Sequence, residues 1–526
     1  MDKRKWLGVL LLNFAIALGF YIDNLSTTAL NISSDLANII PVCKKIDNPD
    51  WYQNDLYLSD IKDVEYYTPF FVETLRFLAQ FTQSDYIQAL NVLGFITHFS
   101  YGILWFLLFF TIKKEYWLAL FMSLLIRGII WPPGGELLGI SEIWTIMPRT
   151  VYLALLPLPF LCFMHLKKYK FIIGGILLGL ILNFHPLSGL GGILGYFVVF
   201  VSYHYFHKTL FKNKTYWELI QWLGACVIGM LPYVYVYLSN VDATAAIDPK
   251  LFQLAFDKRI PKHFGDPVEF IKLWHRPSFY FFLSLFLLFC CFDASKNKRN
   301  SKIITVSVVL IFIVSNGSVY LERMINVIFD TNLRMSFQLI RFQKFILVFF
   351  QIGTYLLLAE MIFRLKPTSM MKRSAFFLFF GLLLIADMPF LKKVPFVSDD
   401  ICNQILPYTL KFRKKPLDAD LVLRNNMVEY IKNNTPSNAV FYGDFYLRTA
   451  ANRSVQLDGK GASMLIEGDL NKFTQWYVDK TKFEGLSVEN KIEFLRSIHV
   501  NYIMDSQTWD NLEIIHKEGN YNLYKL

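Results

Sequence analysis

The sequence predicts an α-helical polytopic membrane protein with about eleven transmembrane helices, followed by a C-terminal extracytoplasmic α/β domain. Of its 526 residues, 54% are hydrophobic and only 18% are charged, and the mean hydropathy is +0.35. A soluble protein of this length carries more charge. Apolar runs of about 17–21 residues recur, which is enough to cross a hydrocarbon core of about 30 Å as helices. A polar block of roughly 130 residues closes the chain.

The apolar segments define a transmembrane domain at residues 1–394 and leave an outer domain at residues 395–526. The predicted spans cover about residues 6–22, 91–111, 117–132, 148–165, 170–184, 187–206, 216–238, 277–293, 303–320, 343–363 and 374–392. A large first outer loop, residues 23–90, separates the first two spans and is rich in acidic and aromatic residues.

Basic residues cluster in every second loop and near the N-terminus. The clusters lie at residues 3–5, 113–114, 167–170, 208–214, 296–302 and 364–373. Cytoplasmic loops carry such an excess of lysine and arginine, so the N-terminus is predicted in the cytoplasm. An odd number of spans then puts the C-terminal domain outside. The net charge of +11 is therefore a topology signal, and no nucleic acid is expected as a partner.

The C-terminal block has the pattern of a small α/β domain. Its predicted elements are a helix at 420–433, strands at 439–442 and 454–457, a helix at 492–498, a strand at 501–504, and a terminal hairpin of 513–516 with 521–524.

Carboxylates recur where the chain leaves the membrane on the outer side. Asp23 follows the first span, Asp50 and Asp55 lie in the first outer loop, and Glu136 and Glu142 follow the third span. A carboxylate at this depth can act as a general base or ligate a divalent metal. The alternative is a solvated loop acid or a helix cap.

Cationic side chains occur at the same level. Arg149 opens the fourth span, His185 lies in the turn between the fifth and sixth spans, and Arg341 opens the tenth. Arginine is costly at a membrane boundary unless it is paired or reaches the interface, and one productive use is to bind the phosphate of a lipid. A structural ion pair or a hydrogen-bonded turn histidine is the alternative.

Several short motifs resemble those of one superfamily. Residues 48–55 fit the pattern Pro-x-x-Tyr-x-x-Asp, and Pro148-Arg149, Phe184-His185-Pro186 and Arg341 stand where related features recur. With the order of spans and loops, this layout resembles the GT-C superfamily of membrane glycosyltransferases. Such proteins use sugars linked to polyprenyl phosphate, and an essential acid lies in their first outer loop.

The resemblance implies an inverting glycosyltransferase at the outer face of a bacterial inner membrane, in the cell envelope. It would move a sugar from a polyprenyl-phosphate donor to a glycan, lipid or protein acceptor. Asp55 or Asp23 would be the catalytic base. Arg149, His185 and Arg341 would bind the substrate phosphate, with Asp50 and Glu136 as further substrate contacts. A divalent cation is the one cofactor these acids could hold.

Two other functions fit the same layout. A transporter or lipid flippase predicts charged residues near the middle of several spans, for which Arg127 is the clearest candidate. A non-catalytic envelope assembly protein predicts that Asp23 and Asp55 can be replaced without loss of function.

Overall fold

The computed structural model describes residues 2–128, 130–131, 136–240, 248–275, 277–295, 299–331, 333–386, 388, 404–413, 415 and 418–526. The predicted domain boundary at residues 394 and 395 lies outside this set.

The described residues contain twenty-two α-helices and seven strands. The helices up to residue 206 are α1 (Lys3–Asp23), α2 (Leu36–Asp47), α3 (Pro69–Ala79), α4 (Tyr86–Ile112), α5 (Tyr116–Leu125), α6 (Pro148–Leu155), α7 (Pro157–His165), α8 (Lys170–Leu182) and α9 (Pro186–Phe206). The next are α10 (Asn213–Asn240), α11 (Pro249–Arg259), α12 (Pro267–Lys272), α13 (Pro277–Ser295), α14 (Asn300–Phe329), α15 (Ser336–Leu339), α16 (Lys344–Leu365) and α17 (Ser369–Ile385). The last five are α18 (Ala419–Asn434), α19 (Tyr446–Ala450), α20 (Gly459–Ala462), α21 (Leu470–Glu484) and α22 (Val488–Ser497). The strands are β1 (Ile130–Trp131), β2 (Glu136–Leu137), β3 (Val440–Tyr442), β4 (Ser454–Gln456), β5 (Tyr502–Asp505), β6 (Ile514–Glu518) and β7 (Tyr521–Lys525).

The predicted polytopic helical fold is confirmed. Within the described part of the chain, six helical segments are long and apolar enough to cross a membrane: Lys3–Asp23, Tyr86–Ile112, Pro186–Phe206, Asn213–Ser239, Asn300–Phe329 and Ser336–Leu365. Shorter apolar helices occupy other predicted spans, among them Lys170–Leu182. The predicted span 148–165 is two helices, α6 and α7, with Pro157 opening the second. Proline lacks an amide N–H and clashes with the preceding turn, so it interrupts a helix here.

The chain divides into two compact units. The first unit comprises residues 1–24, 91–232 and 262–414, and the second comprises residues 25–90, 233–261 and 415–526. The second unit thus joins the first outer loop, and a segment that contains the end of α10 and all of α11, to the C-terminal polar block.

Close helix packing in the first unit depends on small residues. A Cβ atom at Gly179 on α8 would lie 2.8 Å from the Cα of Gly229 on α10, so the two backbones are in direct contact. The side-chain amide of Asn183 donates to the carbonyl of Gly229 at 2.9 Å. Small residues and interhelical hydrogen bonds are the usual means by which membrane helices associate.

The second unit contains a five-stranded mixed sheet with strand order β4-β3-β5-β7-β6. Strand β3 pairs in parallel with β4 and β5, and β7 is antiparallel to both β5 and β6. The predicted α/β character of the C-terminal block is confirmed, and each of its predicted elements forms. Most of their ends lie within about two residues of the expected positions, but the helix predicted at 492–498 begins four residues earlier, at Val488. Gly519 has a φ of +58° in the β6–β7 turn, a conformation that favours glycine.

Candidate active site

His185 caps the start of a membrane helix. It is the N-cap residue of α9, and its Nδ1 accepts a hydrogen bond from the backbone N–H of Ser188 at 3.0 Å. The next residue is Pro186, whose ring favours the first turn of a helix. The imidazole is half-buried and is held in one orientation by this cap.

A buried lysine reaches the same helix start from another helix. Lys344 is the first residue of α16, is only 4% exposed, and its Nζ donates to the Ser188 hydroxyl at 2.6 Å. Arg341 lies one turn earlier, half-buried, with a nitrogen 3.1 Å from the side-chain oxygen of Gln338. Its guanidinium lies 5.3 Å from the ring centre of Phe264. The structure therefore gathers His185, Lys344 and Arg341 near the N-terminal ends of α9 and α16.

Arg149 belongs to a third helix that packs on α9. It is the second residue of α6 and is 4% exposed. One turn further along, the Tyr152 hydroxyl occupies the space where a side chain at Gly192 of α9 would lie. Tyr152 and Gly192 lie in the first two turns of α6 and α9, so this contact brings the starts of the two helices, with Arg149 and His185, near each other. The positive ends of both helix dipoles also favour an anion there.

Asp23 is the last residue of α1. One carboxylate oxygen accepts the N–H of Tyr408 at 2.5 Å, and the other accepts the N–H of Thr409 at 3.0 Å and also the Thr409 hydroxyl. The side chain is half-buried. It keeps contact with solvent while its orientation is fixed.

Asp55 lies in the second unit and is fully buried, with an exposed fraction of 0%. One carboxylate oxygen is 2.9 Å from Nε of Arg448 and also accepts the N–H of Val455 at 3.0 Å. The other accepts the N–H of Tyr57 at 3.0 Å. The Asp55 carboxylate is thus closed off from solvent and paired with a buried arginine, which favours a structural role.

Asp50 and Glu136 are the two other predicted substrate contacts. Asp50 is exposed, and its carboxylate accepts a bond from the Gln53 side chain at 3.4 Å. Glu136 of β2 is the strand neighbour of Trp131 of the antiparallel β1. Its side chain lies outside the described part of the structure. Among the described residues, no group of three or more His, Cys, Asp or Glu side chains is arranged to hold a metal ion.

Arg127, the residue that favoured a transporter, is buried among neutral groups. One of its terminal nitrogens donates to Asn13 at 2.8 Å and to the carbonyl of His98 at 2.9 Å, and the other lies 3.3 Å from Nδ1 of His98. Nε2 of His98 is 2.8 Å from the carbonyl of Ser141. These contacts connect α1, α4 and the chain after β2, which is a structural use of a buried cation.

Lys344 and Arg448 are not among the site residues predicted from the sequence. Lys344 stands only three residues after Arg341, on the same face of a helical turn, and that spacing was the available signal. Arg448 had no such signal, because its position beside Asp55 depends on contacts between residues 393 positions apart.

No protein-family model matches the sequence, and no curated protein matches it. A solved structure does match: ArnT from Cupriavidus metallidurans in the apo state, with a TM-score of 0.53 and 10% sequence identity over 98% of both chains. At that identity the likeness concerns the fold. The chain therefore shares the fold of ArnT over nearly its whole length.

Proposed function

We propose that this protein is a GT-C-type membrane glycosyltransferase that moves a sugar from a polyprenyl-phosphate donor to an extracytoplasmic acceptor. The observation that carries the proposal is the group of two arginines, a lysine and a histidine at the starts of α6, α9 and α16, on a fold shared with ArnT. Cations and helix N-termini at a membrane boundary suit a lipid-linked phosphate.

In the proposed reaction, an acceptor hydroxyl oxygen attacks the anomeric carbon of the donor sugar. The bond from that carbon to the phosphate oxygen breaks, and the phosphate leaves with the electron pair. Arg149, His185, Lys344 and Arg341 stabilise the negative charge that develops on the leaving phosphate. The base takes the acceptor proton on the opposite face of the sugar, so the anomeric configuration inverts.

We assign the base to Asp23 rather than to Asp55. A general base must come within about 3 Å of the proton it removes, or reach it through one water. Asp55 is fully buried and paired with Arg448, whereas Asp23 is half-buried and oriented by Tyr408 and Thr409. The loop charges support an N-terminus in the cytoplasm of a bacterial cell and an extracytoplasmic second unit.

The test is sugar transfer in native membranes, read as surface glycan or glycolipid by mass spectrometry against a deletion strain. We expect Asp23→Asn to abolish a product that the wild type makes, while Asp50→Asn, an exposed acid of the first outer loop, retains it. Transfer is compared only between variants whose expression level and unfolding midpoint equal those of the wild type.

If deletion changes no glycan, the transferase proposal is wrong, and lipid transport is then measured instead. If Asp23→Asn retains the product, the enzyme proposal stands and the assignment of the base is wrong.

A further inference from the structure

Two hydrogen-bond donors meet on the second unit, away from Asp55. Phe252 of α11 and Phe473 of α21 have ring centres 5.8 Å apart, so these helices pack together. Arg259, the last residue of α11, then comes to lie beside Trp476 of α21. A Cβ atom at Gly459 would lie 3.7 Å from Cδ of Arg259 and 3.8 Å from Cζ2 of Trp476, so both side chains border the same glycine.

Neither donor has an acceptor among the described residues. Nε of Arg259 and Nε1 of Trp476 are both buried atoms without a hydrogen-bond partner there, and the Trp476 side chain is only 2% exposed. A buried donor left without an acceptor costs about 1–3 kcal/mol. Two such donors side by side indicate that an acceptor from outside the chain completes them.

The surrounding charges indicate the sign of that acceptor. Burial lowers the pKa of the Arg259 guanidinium, and the nearby carboxylate of Asp458 only partly offsets this. The oxygens of Asp458 are already engaged, one by Arg448 at 2.6 Å and the other by the N–H of Gly461 at 2.6 Å. Asp458 therefore does not neutralise Arg259 by direct contact.

A second cation lies on the same face of α21. Lys480 follows Trp476 by four residues, about one helical turn. Burial lowers the pKa of the Lys480 ammonium, and the charge of Lys258 lowers it further. Lys480 forms an ion pair with Glu484, in which Nζ and the carboxylate oxygen are 4.0 Å apart. Glu484 also pairs with Lys258 at 2.6 Å, so one carboxylate serves two lysines.

We propose that Arg259, Trp476 and Lys480 bind an anionic oxygen group, a phosphate or a carboxylate, on a water-soluble acceptor sugar. A guanidinium and an indole N–H both donate to such oxygens, and neither can accept a hydrogen bond. A Cβ atom at Gly459 would make only ordinary contacts with both side chains, so there is room for a further atom beside them. The role of this sugar as the acceptor rests on the proposed function, whereas the binding of the anionic group does not.

The test uses full-length protein in phosphatidylcholine nanodiscs, with 5-fluorotryptophan incorporated. The fluorine resonance of Trp476 is assigned as the one that is missing from the spectrum of Trp476→Phe. Inorganic phosphate, glucose 6-phosphate and glucuronate are titrated, with neutral glucose as the control. We expect a saturable shift with at least one anion and none with glucose. Arg259→Gln should weaken binding by at least about tenfold, which corresponds to about 1.4 kcal/mol.

Lys250→Gln is the matched control, because Lys250 is an exposed cation on the same helix, α11. It should leave the affinity unchanged. If Arg259→Gln does not fold, Lys480→Gln takes its place with the same expectation of weaker binding.

The proposal is overturned if no anion shifts the Trp476 resonance, which would leave water as the partner of both donors. It is also overturned if Arg259→Gln, or Lys480→Gln in its place, binds as wild type does, or if the shift appears only when phosphatidylglycerol is added to the nanodiscs. Binding is read without any transfer reaction. A protein that binds glucuronate but transfers no sugar would therefore refute the proposed function alone.

Discussion

Arg448 and Asp55 form a fully buried ion pair across 393 residues of sequence, with Nε and Oδ2 2.9 Å apart. A second nitrogen of Arg448 lies 2.6 Å from Asp458, and the ring of Tyr57 lies 5.0 Å from the guanidinium carbon. Burial alone would lower the pKa of Arg448, but the carboxylates of Asp458 and Asp55 outweigh it and raise the pKa above its ordinary value. This pair holds the first outer loop to the C-terminal segment within the second unit.

Replacement of Asp55 should act mainly on stability. In Asp55→Asn the buried guanidinium of Arg448 loses one of its two carboxylate partners. Breaking a buried ion pair lowers the free energy of unfolding by about 3–5 kcal/mol. We expect a large fall in the midpoint of thermal unfolding in detergent. Asp50→Asn is the matched control, because Asp50 is exposed and its change should stay within about 0.5 kcal/mol. A variant that loses transfer with an unchanged midpoint would instead make Asp55 the base.

Lys44 should make stability depend on pH. Its Nζ donates to the carbonyl of Thr449 at 2.9 Å and to Asn452 at 2.6 Å, and burial, followed by repulsion from Lys432, lowers the pKa of Lys44 from 10.5 to about 8. Between these two values the unfolded chain binds the proton and the folded protein does not, so stability rises with pH across that window.

The measurement is the unfolding midpoint of wild type minus that of Lys44→Met, taken from about pH 7 to pH 10. We expect the difference to be flat below about pH 8 and to increase above it. Parallel curves for the two proteins over the whole range would contradict the assignment.

Gly461 should tolerate no side chain. A Cβ atom there would lie 2.5 Å from the ring of Tyr57, which is fully buried. Gly461→Ala should therefore destabilise the protein by about 1–3 kcal/mol, as overpacking does. At Gly485 the nearest atom to a Cβ is the carbonyl oxygen of Lys482 at 3.7 Å, an ordinary contact. Gly485→Ala should be neutral or stabilising by up to about 1 kcal/mol. Equal unfolding midpoints for the two variants would refute this account of Gly461.

His185 can be tested by separating its cap from its imidazole. Asparagine is a good N-cap residue, so His185→Asn should keep the start of α9, while His185→Ala should lose about 0.5–2 kcal/mol. If the imidazole stabilises the leaving phosphate, both variants should lose about 100-fold or more of the transfer rate. Transfer at the wild-type rate by His185→Asn would mean that His185 serves only as a cap.

Local pattern accounts for the elements that the sequence predicted correctly. The terminal hairpin follows from two alternating runs around Gly519, and the helix Ala419–Asn434 from its apolar spacing and its stop before Pro436. The helix Leu470–Glu484 was not predicted. Its buried aromatic residues Phe473, Trp476 and Phe483 share one face, but Lys480 stands among them at the spacing i+7 and interrupts the apolar stripe.

By itself the sequence determined that the chain crosses the membrane repeatedly and ends in a polar α/β segment. Hydropathy and charge act through consecutive residues, so they can be read along the chain. Only the tertiary structure decided that Asp55 meets Arg448, that Lys344 meets Ser188, and that Arg259 meets Trp476. Each of these contacts joins residues more than 150 positions apart. No local periodicity encodes such a pairing, because it is selected by the packing of whole elements.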